Sequence, residues 1–253
     1  AFRLLMGAEG KITGMQDRRD YLKKMLEQAD VVVSHSHFLQ EKIRENGIFT
    51  DNVTYLPNGI QVDETPLDCR RSHPSPLRIG YIGQIARHKG VHLLVEAFIG
   101  AGADPQRAEL HIYGDGSRWP AYMQALKDKA DGHPAIYFKG TYPAEQVTRV
   151  LDQLDVLVVP SIWFENRPTV ILEAFSRRVP VIVADMGGMA EMVRDEVDGL
   201  RFRPGDVKSL TQQLKRLVDD PDELGRLCAG IQPVRSVQVE MDEIERLYEK
   251  VIE

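Results

Sequence analysis

Apolar positions along the chain change their period repeatedly. From Leu77 onward, short runs of β-branched and aliphatic residues alternate with stretches in which apolar side chains recur three and four positions apart. That alternation predicts strands interleaved with amphipathic helices, and so a parallel sheet covered on both faces. The strand runs are Leu77 to Gly83 (LRIGYIG), Glu109 to Gly114 (ELHIYG), Ala135 to Gly140 (AIYFKG), Asp155 to Pro160 (DVLVVP), Pro180 to Asp185 (PVIVAD) and Gly199 to Phe202. The clearest helical patterns are Gly90 to Ala101, Arg118 to Lys129 and Pro168 to Arg178. The expected fold is α/β, a doubly wound parallel sheet of the Rossmann kind. Ligands of such sheets bind in the crevice beyond the carboxyl ends of the strands, which points to Gly83, Gly114 and the segment after Pro160.

The stretch before Leu77 reads differently. Asp30 to Ser34 (DVVVS) predicts a strand, Phe38 to Asn46 a helix, and Asn52 to Leu56 a second strand closed by the turn Pro57-Asn58-Gly59. One strand–helix–strand unit cannot cover both faces of a sheet, so residues 1–60 are expected to be the tail of a partial second domain. Residues 61–76, rich in Pro, Ser, Arg and charge, predict a linker. Residues 77–235 form the main domain of this reading. The apolar spacing of Val239 to Ile252 (VEMDEIERLYEKVI) makes 236–253 a terminal helix expected to pack back on the N-terminal part. The chain opens at Ala1 inside a helical pattern, as a piece of a longer protein would.

Composition narrows the function classes. A hydrophobic content of 43% in 253 residues is enough for a core. No apolar run reaches the roughly 20 residues needed to span a bilayer, and the N-terminus shows no signal-peptide pattern, so a cytoplasmic location is expected. A net charge of −6 argues against a nucleic-acid partner, which needs a concentrated positive field. Cys69 and Cys228 lie far apart and match no metal or redox spacing, so neither a zinc site nor a disulfide is expected.

Four turns at one edge of the predicted sheet carry candidate chemistry. In Trp163-Phe164-Glu165-Asn166-Arg167-Pro168-Thr169-Val170-Ile171-Leu172-Glu173-Ala174, Pro168 suits the first turn of a helix. Glu165 then lies in the loop before it and Glu173 more than a turn inside. The free N–H groups of that helix start would open on the crevice, where a diphosphate fits. The same pattern is also consistent with a surface helix. In Gly83-Gln84-Ile85-Ala86-Arg87-His88-Lys89-Gly90, the turn after the first strand of the main sheet, Lys89 is either a phosphate ligand or a solvated lysine. The turn is neither a Walker A loop nor a G-x-G-x-x-G fingerprint, and no ribose-binding acid follows, so a nicotinamide cofactor is disfavoured. Gly114-Asp115-Gly116 and Gly187-Gly188 complete the set.

These segments, in this order, resemble the retaining GT-B glycosyltransferase family 4 (glycosyltransferase group 1). The resemblance runs from about Asp30 to the end, through DVVVSHSHFLQEKI, VTYLPNGIQVD, GYIGQIARHKG, LHIYGDG, DVLVVPSIWFENRPTVILEAF, PVIVADMGGMAEMV and DGLRF. It implies the C-terminal, nucleotide-sugar-binding half of a GT-B fold with the tail of the N-terminal, acceptor-side domain. By that resemblance Glu165 contacts donor-sugar hydroxyls, Glu173 holds the ribose hydroxyls and Lys89 binds phosphate, with Glu165 and Lys89 the catalytic pair. The stretch Asn166, Arg167, Pro168, Thr169 and Val170 would bind the donor through backbone N–H groups, with Gly83, Gln84 and Gly114 lining the same site. Gln84 departs from the family, which commonly has arginine there, and Arg87 or Arg167 are the candidates to replace that charge. Tyr142 is placed either to stack on a base or to pack in the interior. His35 and His37 follow the first strand, but the histidine the family uses near the donor sugar comes from an earlier loop, so neither is assigned a catalytic role.

The implied reaction is a metal-independent, retaining transfer of a hexose-type sugar from a nucleoside diphosphate sugar to a sugar or lipid-linked acceptor. It needs no cofactor and no metal, and the sequence carries no D-x-D cluster after a strand. The full-length protein would have room for peripheral association with the inner face of the membrane. A noncatalytic nucleotide-binding module and a GT-B sugar epimerase or phosphorylase are the alternatives. Detectable glycosyl transfer separates them.

Overall fold

The computed structural model describes residues 14–48, 52–62, 69, 75–102 and 104–252. The helical pattern at Ala1 lies outside them. The first unit comprises α1 (Met15–Glu27), β1 (Val32–Ser34), α2 (His37–Glu45) and β2 (Val53–Tyr55). β1 and β2 pair in parallel, Val32 opposite Val53 and Ser34 opposite Tyr55. α2 starts where the Ser36 side chain accepts the Leu39 N–H, satisfying a donor with no partner inside the helix.

Six strands build the second sheet: β3 (Leu77–Ile82), β4 (Ala108–Tyr113), β5 (Ile136–Gly140), β6 (Val156–Val159), β7 (Val181–Ala184) and β8 (Gly199–Phe202). All pairings are parallel and the spatial order is β5-β4-β3-β6-β7-β8. Every strand run read from Leu77 onward is present, with ends that differ by at most one residue. Counted within this sheet, the order is the 3-2-1-4-5-6 of a doubly wound dinucleotide-type fold. The order reverses between β3 and β6, and the loops leaving those two strands carry Lys89 and Glu165.

Helices α3 (Val91–Gly100), α4 (Pro120–Ala130), α5 (Val147–Leu151), α6 (Thr169–Ser176), α7 (Gly187–Met192), α8 (Val207–Asp219) and α9 (Pro221–Gly230) flank the sheet. Ile79, Leu110, Ile112, Leu157 and Ile182 from the strands meet Leu94, Phe98, Leu126 and Ile171 from the helices in one buried core. Consecutive strand residues are buried, as a sheet covered on both faces requires. Arg78 locks β3 to the start of β6. Its guanidinium and backbone N–H all donate to the buried Asp155 carboxylate, and that pairing raises the Arg78 pKa.

α10 (Val237–Ile252) returns to the first unit. Val237 N–H donates to the Ile60 carbonyl and Ile60 N–H to that of Arg235. Ile244, Leu247, Tyr248 and Val251 of α10 face Val31, Val33 and His35 across a cavity of about 500 Å³. Among the described residues no helix is long and apolar enough to cross a membrane.

The cysteines correct the sequence reading. Cys69 and Cys228 form a disulfide, with Cα atoms 5.8 Å apart. A separation of 159 residues gave no spacing signal, because α9 comes back to the linker only through the tertiary fold.

Candidate functional site

The site lies where the sheet order reverses. After β3 the chain turns at Gly83, runs through Gln84 to a short 3-10 turn at Arg87–Lys89, and reaches Gly90 in the left-handed conformation (φ 73°). A Cβ on Gly90 would stand 1.8 Å from the Pro160 carbonyl oxygen, so only glycine allows the β3 and β6 loops to approach this closely. His88 carbonyl accepts both the Ile162 N–H (2.9 Å) and the Ser161 hydroxyl (3.1 Å), tying the two loops together.

That approach brings Lys89 and Glu165 into direct contact. Lys89 Nζ donates to Glu165 Oε1 at 2.7 Å, with the side chains 30% and 16% exposed. The Ser161 hydroxyl donates to the same oxygen at 2.8 Å. The two residues expected to act on the donor are therefore partners of each other. The contact neutralises both charges and holds each side chain in one place, shielded from most of the solvent.

Pro168 is the residue that precedes α6, and helical backbone begins at Thr169. The expectation put Pro168 one position further in. The shift leaves Glu165, Asn166 and Arg167 in the entry loop and Glu173 in the second turn. Ile171 N–H already donates to the Pro168 carbonyl (3.2 Å), which leaves Thr169 and Val170 as the amides at the mouth. Asn166 and Glu165 are held from below by α7. Gly188 N–H donates to the Glu165 carbonyl (2.9 Å), and a Cβ on Gly188 would lie 1.4 Å from the Asn166 carbonyl oxygen.

Glu173 is half-buried, and burial raises its pKa above the usual carboxylate range. Among the described residues its carboxylate has no hydrogen-bond or ion-pair partner. It is close enough to Tyr142 to help push that phenol up to about 12, after burial itself and ahead of Tyr113. Tyr142, Tyr113, Thr141, Gly83, Gln84, Gly114 and Asp115 line a cavity of about 290 Å³ at the ends of β3, β4 and β5. Tyr142 also packs edge-to-face on Tyr113 with centroids 6.0 Å apart, so it takes part in packing and still fronts the cavity. Gln84 is fixed through its carbonyl, which accepts the Tyr81 hydroxyl at 2.7 Å. Of the two cations considered as substitutes at Gln84, Arg87 is exposed, whereas Arg167 has a buried Nε without a partner.

Several contributors carried no sequence signal of their own. The Ser36 hydroxyl donates to Asn166 Oδ1 (2.5 Å), and the carboxylate of Glu191 on α7 accepts the N–H groups of His37 (2.9 Å) and Phe38. Phe38 stacks on Phe164 with centroids 5.2 Å apart. The N-terminus of α2 thus abuts the loop that carries Glu165. Glu191 stands in the quoted GGMAEMV run, but nothing in the sequence says that its partner lies 153 residues away. His35 and His37 have structural contacts: His35 Nδ1 meets the Leu56 carbonyl at 2.8 Å, and His37 stacks on Tyr55 at 3.9 Å.

Residues 76–220, more than half of the chain, match the family model described as glycosyl transferases group 1. The chain belongs to the group 1 glycosyl transferases. A Bacillus subtilis protein named as a teichuronic acid biosynthesis glycosyltransferase is 33% identical over 203 residues, covering 77% of this chain and 48% of that protein. Glycogen synthase of Mycobacterium tuberculosis is 27% identical over 201 residues, covering 78% and 47%. This group 1 chain spans about half the length of the curated relatives it matches. HepE from Anabaena, solved with UDP and glucose, superposes with a TM-score of 0.81 at 19% identity, covering 94% of this chain and 68% of that one. Sucrose-phosphate synthase from Thermosynechococcus elongatus does so at 0.78 and 22%, covering 97% and 64%. These likenesses establish the fold, that of GT-B glycosyltransferases.

Proposed function

We propose that this chain is the donor-binding half of a retaining, metal-independent glycosyltransferase that moves a hexose-type sugar from a nucleoside diphosphate to a sugar or lipid-linked acceptor. The observation that carries the reading is Glu173, a half-buried carboxylate that among the described residues has no hydrogen-bond or ion-pair partner and lies near Tyr142, which lines the open cavity. Burying such a group costs free energy unless something accepts its charge. Ribose hydroxyls would supply two donors. From there the donor extends in one line. Its base enters the cavity fronted by Tyr142, its diphosphate lies at Thr169, Val170 and Lys89, and its sugar reaches Glu165 and Asn166. Relatives named for polysaccharide synthesis, and HepE with its bound UDP and glucose, support a nucleotide sugar as the ligand.

In this reading Lys89 and the start of α6 meet the charge that builds on the leaving diphosphate. A well-aimed donor in a dry site contributes roughly 3 kcal/mol to lowering such a barrier. Glu165 holds the Lys89 ammonium in position before the donor arrives and then turns to the sugar hydroxyls. The acceptor hydroxyl attacks from the face that the diphosphate leaves, which keeps the anomeric configuration. Residues 1–60 are read as the tail of the acceptor-side domain, so robust transfer is expected only from a version extended by that whole domain.

Calorimetry with UDP, GDP and ADP against the matching nucleosides tests the assignment. Lys89→Ala is expected to weaken a diphosphate about tenfold or more and a nucleoside hardly at all. Glu165→Gln should weaken only the sugar-bearing donor. Equal losses for nucleoside and diphosphate in Lys89→Ala would remove Lys89 from phosphate binding.

A further inference from the structure

A row of three rings that the donor reading does not use stands at the rim of the same cleft. The His88 ring centroid lies 6.3 Å from Trp119 and 6.3 Å from Trp163, with interplanar angles of 77° and 70°. Trp119 follows β4, His88 follows β3 and Trp163 follows β6, so the row crosses the carboxyl edge of the sheet in strand order. It is held firmly, because the His88 carbonyl accepts hydrogen bonds from Ser161 and Ile162 of the loop that carries Trp163. Trp163 is nevertheless 62% exposed, between Ile162 at 40% and Phe164 at 57%. Burying a large apolar side chain is worth roughly 1.5–3 kcal/mol, so a rigid loop that shows three in succession is a surface kept open for contact. Phe164 has a partner in Phe38. Among the described residues the ring contact of Trp163 is with the His88 imidazole.

We propose that Trp163, flanked by His88 and Trp119, is a stacking platform for a pyranose ring of the acceptor saccharide. This rests on the glycosyl-transfer reading and adds the acceptor class to it. A pyranose offers one face of polarised C–H bonds to the electron-rich face of an indole while its hydroxyls stay in water. A ring left more than half exposed suits that ligand. A nucleobase is provided for elsewhere, in the cavity at Tyr142. Glu165 is two residues from Trp163 yet only 16% exposed, so the indole stands outside the shielded pair, where a chain-like ligand meets the cleft from solvent.

The chain has two tryptophans, Trp119 and Trp163, and both are in this row, so selectively excited tryptophan emission reports on it alone. The 253-residue chain is titrated with maltotetraose, cellotetraose and chitotetraose, with UDP, GDP and ADP, and with phosphatidylglycerol vesicles. At least one tetrasaccharide is expected to change the emission saturably, with a dissociation constant on the order of 1 mM. Trp163→Ala should weaken that binding about tenfold, and Trp163→Phe should restore most of it. Nucleotide affinity of Trp163→Ala, measured by calorimetry, should stay within about twofold of the parent. Silence with all three saccharides overturns the platform. A nucleotide or vesicle affinity that calorimetry finds about tenfold weaker in Trp163→Ala does so too, and assigns the ring to a base or to a membrane. Saccharide binding with no nucleotide binding would instead sink the donor reading and leave the platform standing.

Discussion

Replacing Gly188 by alanine separates the architecture of the sheet from that of the loop beside it. An added Cβ would lie 1.4 Å from the Asn166 carbonyl oxygen, 2.5 Å from its carbon and 3.1 Å from the Glu165 carbonyl oxygen. Ordinary contact begins near 3.4 Å, so relief requires 3.4 − 1.4 = 2.0 Å of movement between α7 and the 165–166 backbone. Neither partner is a flexible side chain. Overpacking of this kind costs roughly 1–3 kcal/mol of stability, and a 1 Å displacement of a binding group can cost about a hundredfold in rate. Gly188→Ala should therefore melt lower and bind nucleoside diphosphate at least about tenfold more weakly. The β3 to β8 core should keep its circular dichroism spectrum. Gly225, inside α9 with nothing within 4 Å of its Cβ position, is the control. Gly225→Ala should gain roughly 0.5–1 kcal/mol and bind as the parent does. If calorimetry gave Gly188→Ala the parent's affinity, diphosphate binding could not depend on the 165–167 loop that leads into Thr169 and Val170.

Three further expectations follow from the same geometry. Burial raises the folded-state pKa of Glu173, so its contribution to stability is present at low pH and lost as pH rises through that value. Glu173→Gln should then be more stable than the parent at pH 7, by a margin that shrinks on acidification, while binding nucleosides more weakly; a less stable variant at pH 7 contradicts the sign. Glu191→Ala should speed hydrogen exchange at the His37 and Phe38 amides, leaving Ile112 in β4 protected, because only the α2 amides lose their acceptor. Reducing the Cys69–Cys228 bridge should lower the melting temperature, with roughly 5 kcal/mol as the chain-entropy ceiling for a loop of this length, and thiol titration should count two sites only after reduction.

Much of this was legible because it is written in local patterns. The strands from Leu77 onward announce themselves by unbroken aliphatic runs, and Gly83, Lys89, Glu165 and Glu173 stand at fixed distances from strand or helix ends. Other features depend on where distant segments meet. The contacts of Glu191 with α2 and of Ser36 with Asn166 join residues more than a hundred positions apart. The disulfide does the same, and spacing arguments applied to two isolated cysteines pointed away from it. The mutual pairing of Lys89 and Glu165 lay between these cases. Each side chain was picked out by its own turn, but their contact needed the reversal of strand order that puts β3 beside β6. The aromatic row was hidden for the same reason, since Trp119, His88 and Trp163 are neighbours only across three strands.

Residues 61–76 lie in sequence between the two sheets, and the approach to α10 leads back to the first of them. The approach to α10 is fastened to Ile60, and Cys69 is fastened to Cys228 in α9. A leash of 16 residues (76 − 61 + 1) could reach about 50 Å when fully drawn out. With its middle anchored to α9, neither arm can pay out more than about half of that. Breaking one bond between two sulfur atoms roughly doubles the length of chain that can be drawn out between Ile60 and Leu77.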